Sequence, residues 1–292
     1  MKKLVAFFLC VLMLLGNASA EIFYTDQVPE DWYQRDLLKL TAIDVDRSDA
    51  LLMECGGEFM LVDGGSGQFR NRLYRAVDAA GAKKFKYLFS THSDNDHVHG
   101  LIYLMRSGNY ELEMFTTPNK ETYRDDAGYH KKAVNATKKM EIPYHIVEDG
   151  EELTLGNASL RVMRCMESWG QNARSAVLMV QFGARTILLT GDIDARTMVH
   201  YAEKYGEDNL KADIMKAPHH GLATIVELFR SMVDAEMIYV PNLKKNTKKF
   251  NNYMKKNAPD TTLMYCGDGS IHMETDGVDW YVWQDADTTK NK

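Results

Sequence analysis

The segment Thr91-His92-Ser93-Asp94-Asn95-Asp96-His97-Val98-His99-Gly100 holds three histidines and two aspartates in eight residues. An apolar run, Phe85 to Ser90, leads into it and reads as a strand. Imidazole and carboxylate are the natural ligands of a borderline divalent metal ion. In an extended loop, residues 92, 94 and 96 point to one side, and His97 turns in beside them where a helix, about His97 to Met105, begins. That layout permits two neighbouring metal sites on one loop. The competing reading is a polar surface turn, because Asp and Asn are common turn formers.

Working outward, three other apolar runs end in functional groups. Leu188-Leu189-Thr190-Gly191-Asp192 closes on a carboxylate. Lys216-Ala217-Pro218-His219-His220-Gly221 closes on a histidine pair, and Leu61-Val62-Asp63-Gly64-Gly65 on a carboxylate followed by two glycines. Each alone is an ordinary turn or surface pair. Together they matter, since layered α/β proteins collect their chemistry where loops converge at strand ends.

With these segments in order, the chain resembles the metallo-β-lactamase superfamily, and more narrowly the hydrolase domain of ComEC-type competence proteins. The matching pieces are Asp63-Gly64-Gly65, His92-x-Asp94-x-Asp96-His97, Thr190-Gly191-Asp192 and Pro218-His219-His220-Gly221. Asn172, Ser175 and Gly269-Ser270-Ile271 are similar to that subgroup as well. The resemblance spans about residues 36–283. It implies an α+β fold, an αββα sandwich of two facing mixed β-sheets covered by helices, with the site at one edge. It also implies one or two divalent ions, zinc or manganese, held by His92, Asp94, Asp96, His97, Asp192 and a histidine of the 219–220 pair.

The chain departs from the family pattern in places. Asp94 stands where most members carry histidine, which moves the preference from zinc towards manganese. The stretch Glu167-Ser168-Trp169-Gly170-Gln171-Asn172 lacks the ligand histidine that many members carry. Asp46-Arg47-Ser48-Asp49 replaces a glycine-rich turn, and no histidine-proline element follows Asn242. The first metal site is therefore expected to be weak or oxygen-rich.

The expected reaction is hydrolysis by a water whose pKa the metal lowers. Catalytic roles fall to Asp96, which binds metal and orients or deprotonates the water, and to His219 or His220, one of which contacts the oxyanion. Asp192 bridges the ions if two are bound. The expected substrate is a phosphodiester, in a nucleic acid or nucleotide. A lactone, amide or thioester is the alternative, and a fold retained for binding alone is a further one. Lys244, Lys245, Lys248, Lys249, Lys255 and Lys256 flank Phe250 and Tyr253, and several share a helical face that either tracks phosphates or is simply solvated. His99 reads as a partner behind the ligands or as an outward polar group. His130, His145, His200 and His272 lack partners at ligand spacing, and Trp169 reads as a core or pocket residue.

Strands are expected at Leu40–Val45, Ala50–Cys55, Phe59–Val62, Leu160–Met163, Ala176–Phe182, Thr186–Thr190, Ala212–Ala217, Ile238–Pro241 and Thr261–Tyr265. Phe69, Leu73, Ala76, Val77 and Ala80 share a helical face that Gly81 stops, and Asp194 caps a helix towards Tyr205. A closing hairpin is expected through Gly267-Asp268-Gly269. At the start, Lys2-Lys3, an apolar run from Leu4 to Leu15 and Ala18-Ser19-Ala20 form an export leader that is too short to span a bilayer comfortably. Residues 21–292 then form a single domain, secreted or extracytoplasmic, with no stable membrane insertion. Loss of Lys2 and Lys3 takes the net charge from −6 to −8, so the surface has no general attraction for nucleic acid or anionic membrane. Cys55, Cys165 and Cys266 remain, an odd set that leaves at least one free or paired with another chain. The partner set reduces to a small-molecule or nucleic-acid substrate. Intact-mass measurement of the exported protein should find Glu21 at the N-terminus. Mature protein that keeps Met1 would sink the leader assignment.

Overall fold

The computed structural model describes residues 21–165 and 170–286. The leader and its Ala20 boundary, together with Glu167, Ser168 and Trp169, lie outside the described residues. Two large sheets face each other. One has nine strands, in the order Ile22–Phe23, Trp280–Gln284, Ile271–Thr275, Leu38–Ala42, Leu51–Cys55, Glu58–Val62, Tyr87–Phe89, Phe115–Thr117, Tyr144–Ile146. The other has seven, in the order Glu152–Leu155, Ala158–Met163, Val177–Phe182, Arg185–Leu189, Ile214–Lys216, Met237–Val240, Thr262–Tyr265.

Each sheet changes style part-way across. Neighbours from Trp280–Gln284 to Glu58–Val62 pair antiparallel, and those beyond Glu58–Val62 pair parallel. The second sheet repeats the plan, switching after Arg185–Leu189. Parallel neighbours need long crossovers. Helices Arg70–Ala79, Asn95–Ser107 and Tyr129–Lys139 supply them in the first sheet; Ala195–Tyr205, Glu227–Val233 and Lys248–Asn257 supply them in the second.

Side-chain alternation along a strand sorts the core into layers. Leu51, Met53, Met60, Val62 and Phe89 meet Leu178, Val180, Ile187, Leu189 and Ile214 between the sheets. Their neighbours Leu52, Leu61 and Leu88 point outward under Leu73, Leu101, Ile102 and Ala133 of the first helices. Val177, Leu188, Met215 and Ile238 do the same under Met198, Tyr201, Phe229 and Phe250. Each fully buried Leu, Met or Phe contributes about 1.5–3 kcal/mol against exposure. The result is the expected αββα sandwich.

Some sequence expectations shift. The run at 85–90 divides into Lys84–Phe85 and Tyr87–Phe89, which pair in different sheets. The closing hairpin is not at Gly267-Asp268-Gly269. That turn carries the chain from Thr262–Tyr265 in one sheet to Ile271–Thr275 in the other, and the hairpin turns later, between Ile271–Thr275 and Trp280–Gln284. Gly269, with φ +134°, suits a change of sheet as well as it suits a hairpin. Cys55, Cys165 and Cys266 are buried free thiols, so no disulfide joins them. Among the described residues, no helix is long and apolar enough to cross a membrane.

One close crossing fixes the site. The first turns of helix Asn95–Ser107 lie on the turn after strand Glu58–Val62. Gly64 N–H donates to the His97 carbonyl at 2.7 Å, and Gly100 N–H to the Gly65 carbonyl at 2.8 Å. A Cβ at Gly100 would stand 1.8 Å from the Gly64 carbonyl oxygen. Gly100→Ala should therefore push helix and turn apart and cost about 1–3 kcal/mol, read as a lowered denaturation midpoint. An unchanged midpoint would show that the crossing tolerates a methyl.

Candidate metal centre

Asp63, Thr91, Asp192 and His219-His220 all follow the C-terminal ends of strands, on the edge that the two sheets share. The Ala176 N–H donates to the Thr91 carbonyl at 2.9 Å and ties the two sheets together there. Asp63 takes a left-handed backbone, φ 57°, which aspartate tolerates better than most residues. Its carboxylate accepts Thr91 N–H at 2.9 Å, Thr91 Oγ1–H at 2.7 Å and His97 Nδ1–H at 2.8 Å. That last bond fixes the orientation of the His97 ring and aims Nε2 into the cluster.

His97 Nε2 faces His220 Nε2 at 3.2 Å and Asp192 Oδ2 at 3.2 Å. His220 Nε2 lies 3.1 Å from Asp192 Oδ2 and 3.4 Å from Asp96 Oδ2. Four donor atoms thus converge from the loop at 92–97 and the ends of two strands of the opposite sheet. His92, 0% exposed, sets its ring 4.1 Å from that of His97. Its Nε2 is 3.3 Å from Asp94 Oδ2, yet has no hydrogen-bond partner among the described residues. Asp94 stands just before helix Asn95–Ser107 without capping it, and Gln171 Nε2 donates to its other oxygen.

The two histidines of the 219–220 pair separate. Both have left-handed backbones, φ 47° and 54°. His220 is buried within the cluster. His219 stays about one-third exposed at the opening, 3.8 Å from Asp192 Oδ2 and 3.5 Å from Asn172 Nδ2. Asn242 Nδ2–H holds the His220 carbonyl at 3.1 Å.

The other histidines lie elsewhere. His99 bonds Asn95 and packs on Tyr103 and Tyr129, away from the cluster. His130 meets the Lys120 carbonyl, His145 meets Glu151, and His272 meets Asp285. His200 lies on helix Ala195–Tyr205.

Two residues without a role in the sequence reading stand inside the site. Asp49 lies 3.3 Å from His220 Nδ1 and 3.6 Å from His97 Nδ1. Lys216, 3% exposed, sets its ammonium 2.6 Å from Asp49 Oδ2 and 3.2 Å from Asp192 Oδ1. Potential ligand atoms of Asp49, His97, Asp192 and His220 all lie within 4.8 Å of one another.

This crowd of carboxylates favours positive charge. Burial disfavours protonating His220, but Asp192 and Asp49 outweigh it and lift the pKa to about 10. His97 is raised well above its usual value for the same reason, with Asp192, Asp63 and Asp49 overcoming burial. Burial works to raise Asp192 and Asp96, but His220 and His97 hold both low. His219, where burial dominates, is lowered and stays neutral. Two imidazole nitrogens 3.2 Å apart cannot both direct lone pairs at each other without a proton or metal ion between them. With His92 Nε2 unpartnered, the donor set fits a divalent cation.

A two-sheet sandwich with helices outside and an Asp/His cluster at its shared strand edge defines a class of layered metal-site proteins. The chain belongs to the metallo-β-lactamase superfamily, whose family model matches residues 43–238. Recombination protein 2 of Haemophilus influenzae is 24% identical over 226 residues, 74% of this chain and 25% of that protein. ComE operon protein 3 of Bacillus subtilis is 25% identical over 154 residues, 50% of this chain and 18% of that protein. The matches thus span about a quarter or less of these relatives' own length. Among solved structures, the metallo-beta-lactamase fold protein YhfI from Bacillus subtilis shares the fold at TM-score 0.52 and 13% identity, covering 78% of this chain and 95% of that one.

The charges set a pH dependence. His220 is raised from 6.5 to about 10, so its contribution to stability is full below pH 6.5 and is lost as pH climbs towards 10. Asp96 and Asp192 are lowered from 3.8, so theirs is present above that value and lost on acidification. In chelator, the melting temperature should fall from pH 7 to pH 10. Saturating metal should flatten that slope, because a cation then replaces the protons. Equal slopes with and without metal would contradict this account of the cluster.

Proposed function

We propose that the chain is an exported, divalent-metal-dependent hydrolase acting on a phosphodiester. The observation that carries the metal assignment is the meeting of His97 Nε2, His220 Nε2 and Asp192 Oδ2 within 3.2 Å of one another. In this reading Asp96, His97, Asp192 and His220 hold one ion, and His92 and Asp94 serve a second, weaker locus. The bound cation supplies Lewis acidity and lowers the pKa of water beside it. Zinc and manganese are the candidates, and the aspartates favour manganese.

The chain's own groups do the rest. Asp63 keeps the His97 ring in one orientation. Asp96, ionised and about one-third exposed, reaches from the cluster to solvent, where it orients and deprotonates the attacking water. His219 is neutral and lies at the opening beside Asn172, placed to donate a hydrogen bond to charge growing on the phosphoryl group.

Two observations support a phosphodiester over a lactone, amide or thioester. The matching relatives are named for recombination and for a ComE operon. The six lysines at 244, 245, 248, 249, 255 and 256 are all exposed, and none has an ion-pair partner among the described residues. Four of them, Lys244, Lys245, Lys248 and Lys249, flank Thr247, whose side chain lies beside Gly221 of the His220 turn, so the cationic stretch begins next to the site.

Purified protein with manganese or zinc should cleave single-stranded DNA and bis-p-nitrophenyl phosphate. Lactone opening without phosphodiester cleavage would replace the substrate class, and silence with every metal would leave a binding protein. Asp192→Asn should abolish cleavage and bound metal. Asp194 caps helix Ala195–Tyr205 by accepting Thr197 N–H at 2.9 Å. Asp194→Ala should therefore cost about 0.5–2 kcal/mol of stability and leave metal content unchanged. The reverse pattern, by melts and elemental analysis, would place the site one turn away.

A further inference from the structure

Asp49 is near enough to the cluster to ligate, yet one oxygen is taken by Lys216 and the other, buried without a hydrogen-bond partner among the described residues, faces the far side of the His220 ring. Oδ2 meets the Lys216 ammonium at 2.6 Å. Oδ1 lies 3.3 Å from His220 Nδ1, on the opposite side of that ring from the Nε2 that meets Asp192. On His97 too, Asp49 faces Nδ1, the nitrogen that Asp63 already occupies. Lys216 in turn is fully engaged. A lysine ammonium carries three N–H bonds, and here the acceptors are Asp49 Oδ2, Asp192 Oδ1 and the Gly191 carbonyl. No donor remains for substrate, and at 3% exposure none could arrive.

We propose that Lys216 is a built-in cation that withholds Asp49 and one oxygen of Asp192 from the metal, so that Asp192 would offer it Oδ2 and Asp49 acts as a positioning residue behind His220. The proposal rests on the metal-site reading above. Its chemistry is a limit on charge. An ion beside Asp96, Asp192 and Asp49 together would face three carboxylates, and that much negative charge blunts its Lewis acidity. With Lys216 pairing Asp49, the ion faces two. The same ammonium lets the cluster stay assembled before any metal arrives, because buried carboxylates need a counter-charge.

The test is manganese titration of the full mature chain, followed by electron paramagnetic resonance, with melts in chelator alongside. Wild type should bind manganese, with a stoichiometry that the first equivalent defines; wild type that binds none defeats the metal-site reading itself. Lys216→Met frees Asp49 and removes a neighbouring positive charge. It should bind manganese about tenfold tighter or more, with a changed bound-metal spectrum, a larger metal-induced rise in melting temperature and a lower kcat. A lysine that is merely structural would, when lost, weaken the site. Adding Asp49→Asn to Lys216→Met restores the charge balance and should return affinity and spectrum towards wild type.

Asp49→Asn in the otherwise unchanged chain covers the case in which Lys216→Met does not fold. If Asp49 is withheld, the bound-manganese spectrum stays that of wild type and affinity falls at most about 10- to 100-fold, the cost of a partner behind the ligands. A bound-metal spectrum altered by Asp49→Asn alone would make Asp49 a ligand and overturn the proposal. Unchanged or weaker binding by folded Lys216→Met, with wild-type binding intact, would overturn it as well.

Discussion

The structure depends on an imbalance of buried charge. Asp49, Asp63 and Asp192 are 7%, 1% and 2% exposed, and among the described residues Lys216 is the one permanent cation in contact with them. An isolated carboxylate in such a place would neutralise or drive the chain apart. These three persist because each is used from more than one side. Asp63 is saturated by Thr91 and His97. Asp49 and Asp192 share one ammonium and two imidazoles. The fold can hold this cluster because two independent sheets contribute to it. The first supplies Asp63 and the His92–His97 loop, the second Asp192, Lys216 and His220. Asp49 and His97 come from the first sheet and find Lys216, His220 and Asp192 on the second, so the cluster closes only where the two sheets meet.

Backbone conformation shows the same constraint from another direction. Asp63, His219 and His220 all take left-handed φ values, costly for side chains with a Cβ. Each is held by its surroundings: Asp63 N–H donates to the Phe89 carbonyl, His219 N–H to the Gly191 carbonyl, and Asn242 grips His220. The turn at 219–220 sets one imidazole inward among the carboxylates and leaves its neighbour at the opening. The sequence contains two adjacent histidines, and the choice between them is made by torsion.

Much of this was legible before any coordinates. Continuous apolar runs of strand length located the central strands of both sheets, because each of those strands buries one face against the other sheet and one under helices. The Asp/His loop stood out because so many ligating groups seldom crowd one loop without a cation. Asp49 was hidden. It sits in Asp46-Arg47-Ser48-Asp49, four polar residues that read as a solvated turn, and only the fold reveals that Asp49 N–H donates to the Asp96 carbonyl at 3.1 Å and turns the residue inward. Lys216 left a signal that could have been used. A lysine ending the apolar run Ile214-Met215, directly before Ala217-Pro218, has nowhere to send its charge except into the site. Helix Tyr129–Lys139 was missed for a different reason: its lysines and its short buried face of His130, Ala133, Val134, Ala136 and Thr137 give a weak apolar period.

The two halves of the cluster are unequal. Gln171 spends its amide on Asp94, and Asn172 stands by His219 rather than by His92. His92 therefore faces a carboxylate already engaged by a neutral donor, while His97 and His220 face Asp192 with its other oxygen turned to Lys216. The second environment is the more anionic and the more deeply buried; the first is open to solvent through Asp94. The site is asymmetric: its buried half packs His97, His220 and Asp192 with Lys216 behind them, and its other half reaches solvent through Asp94.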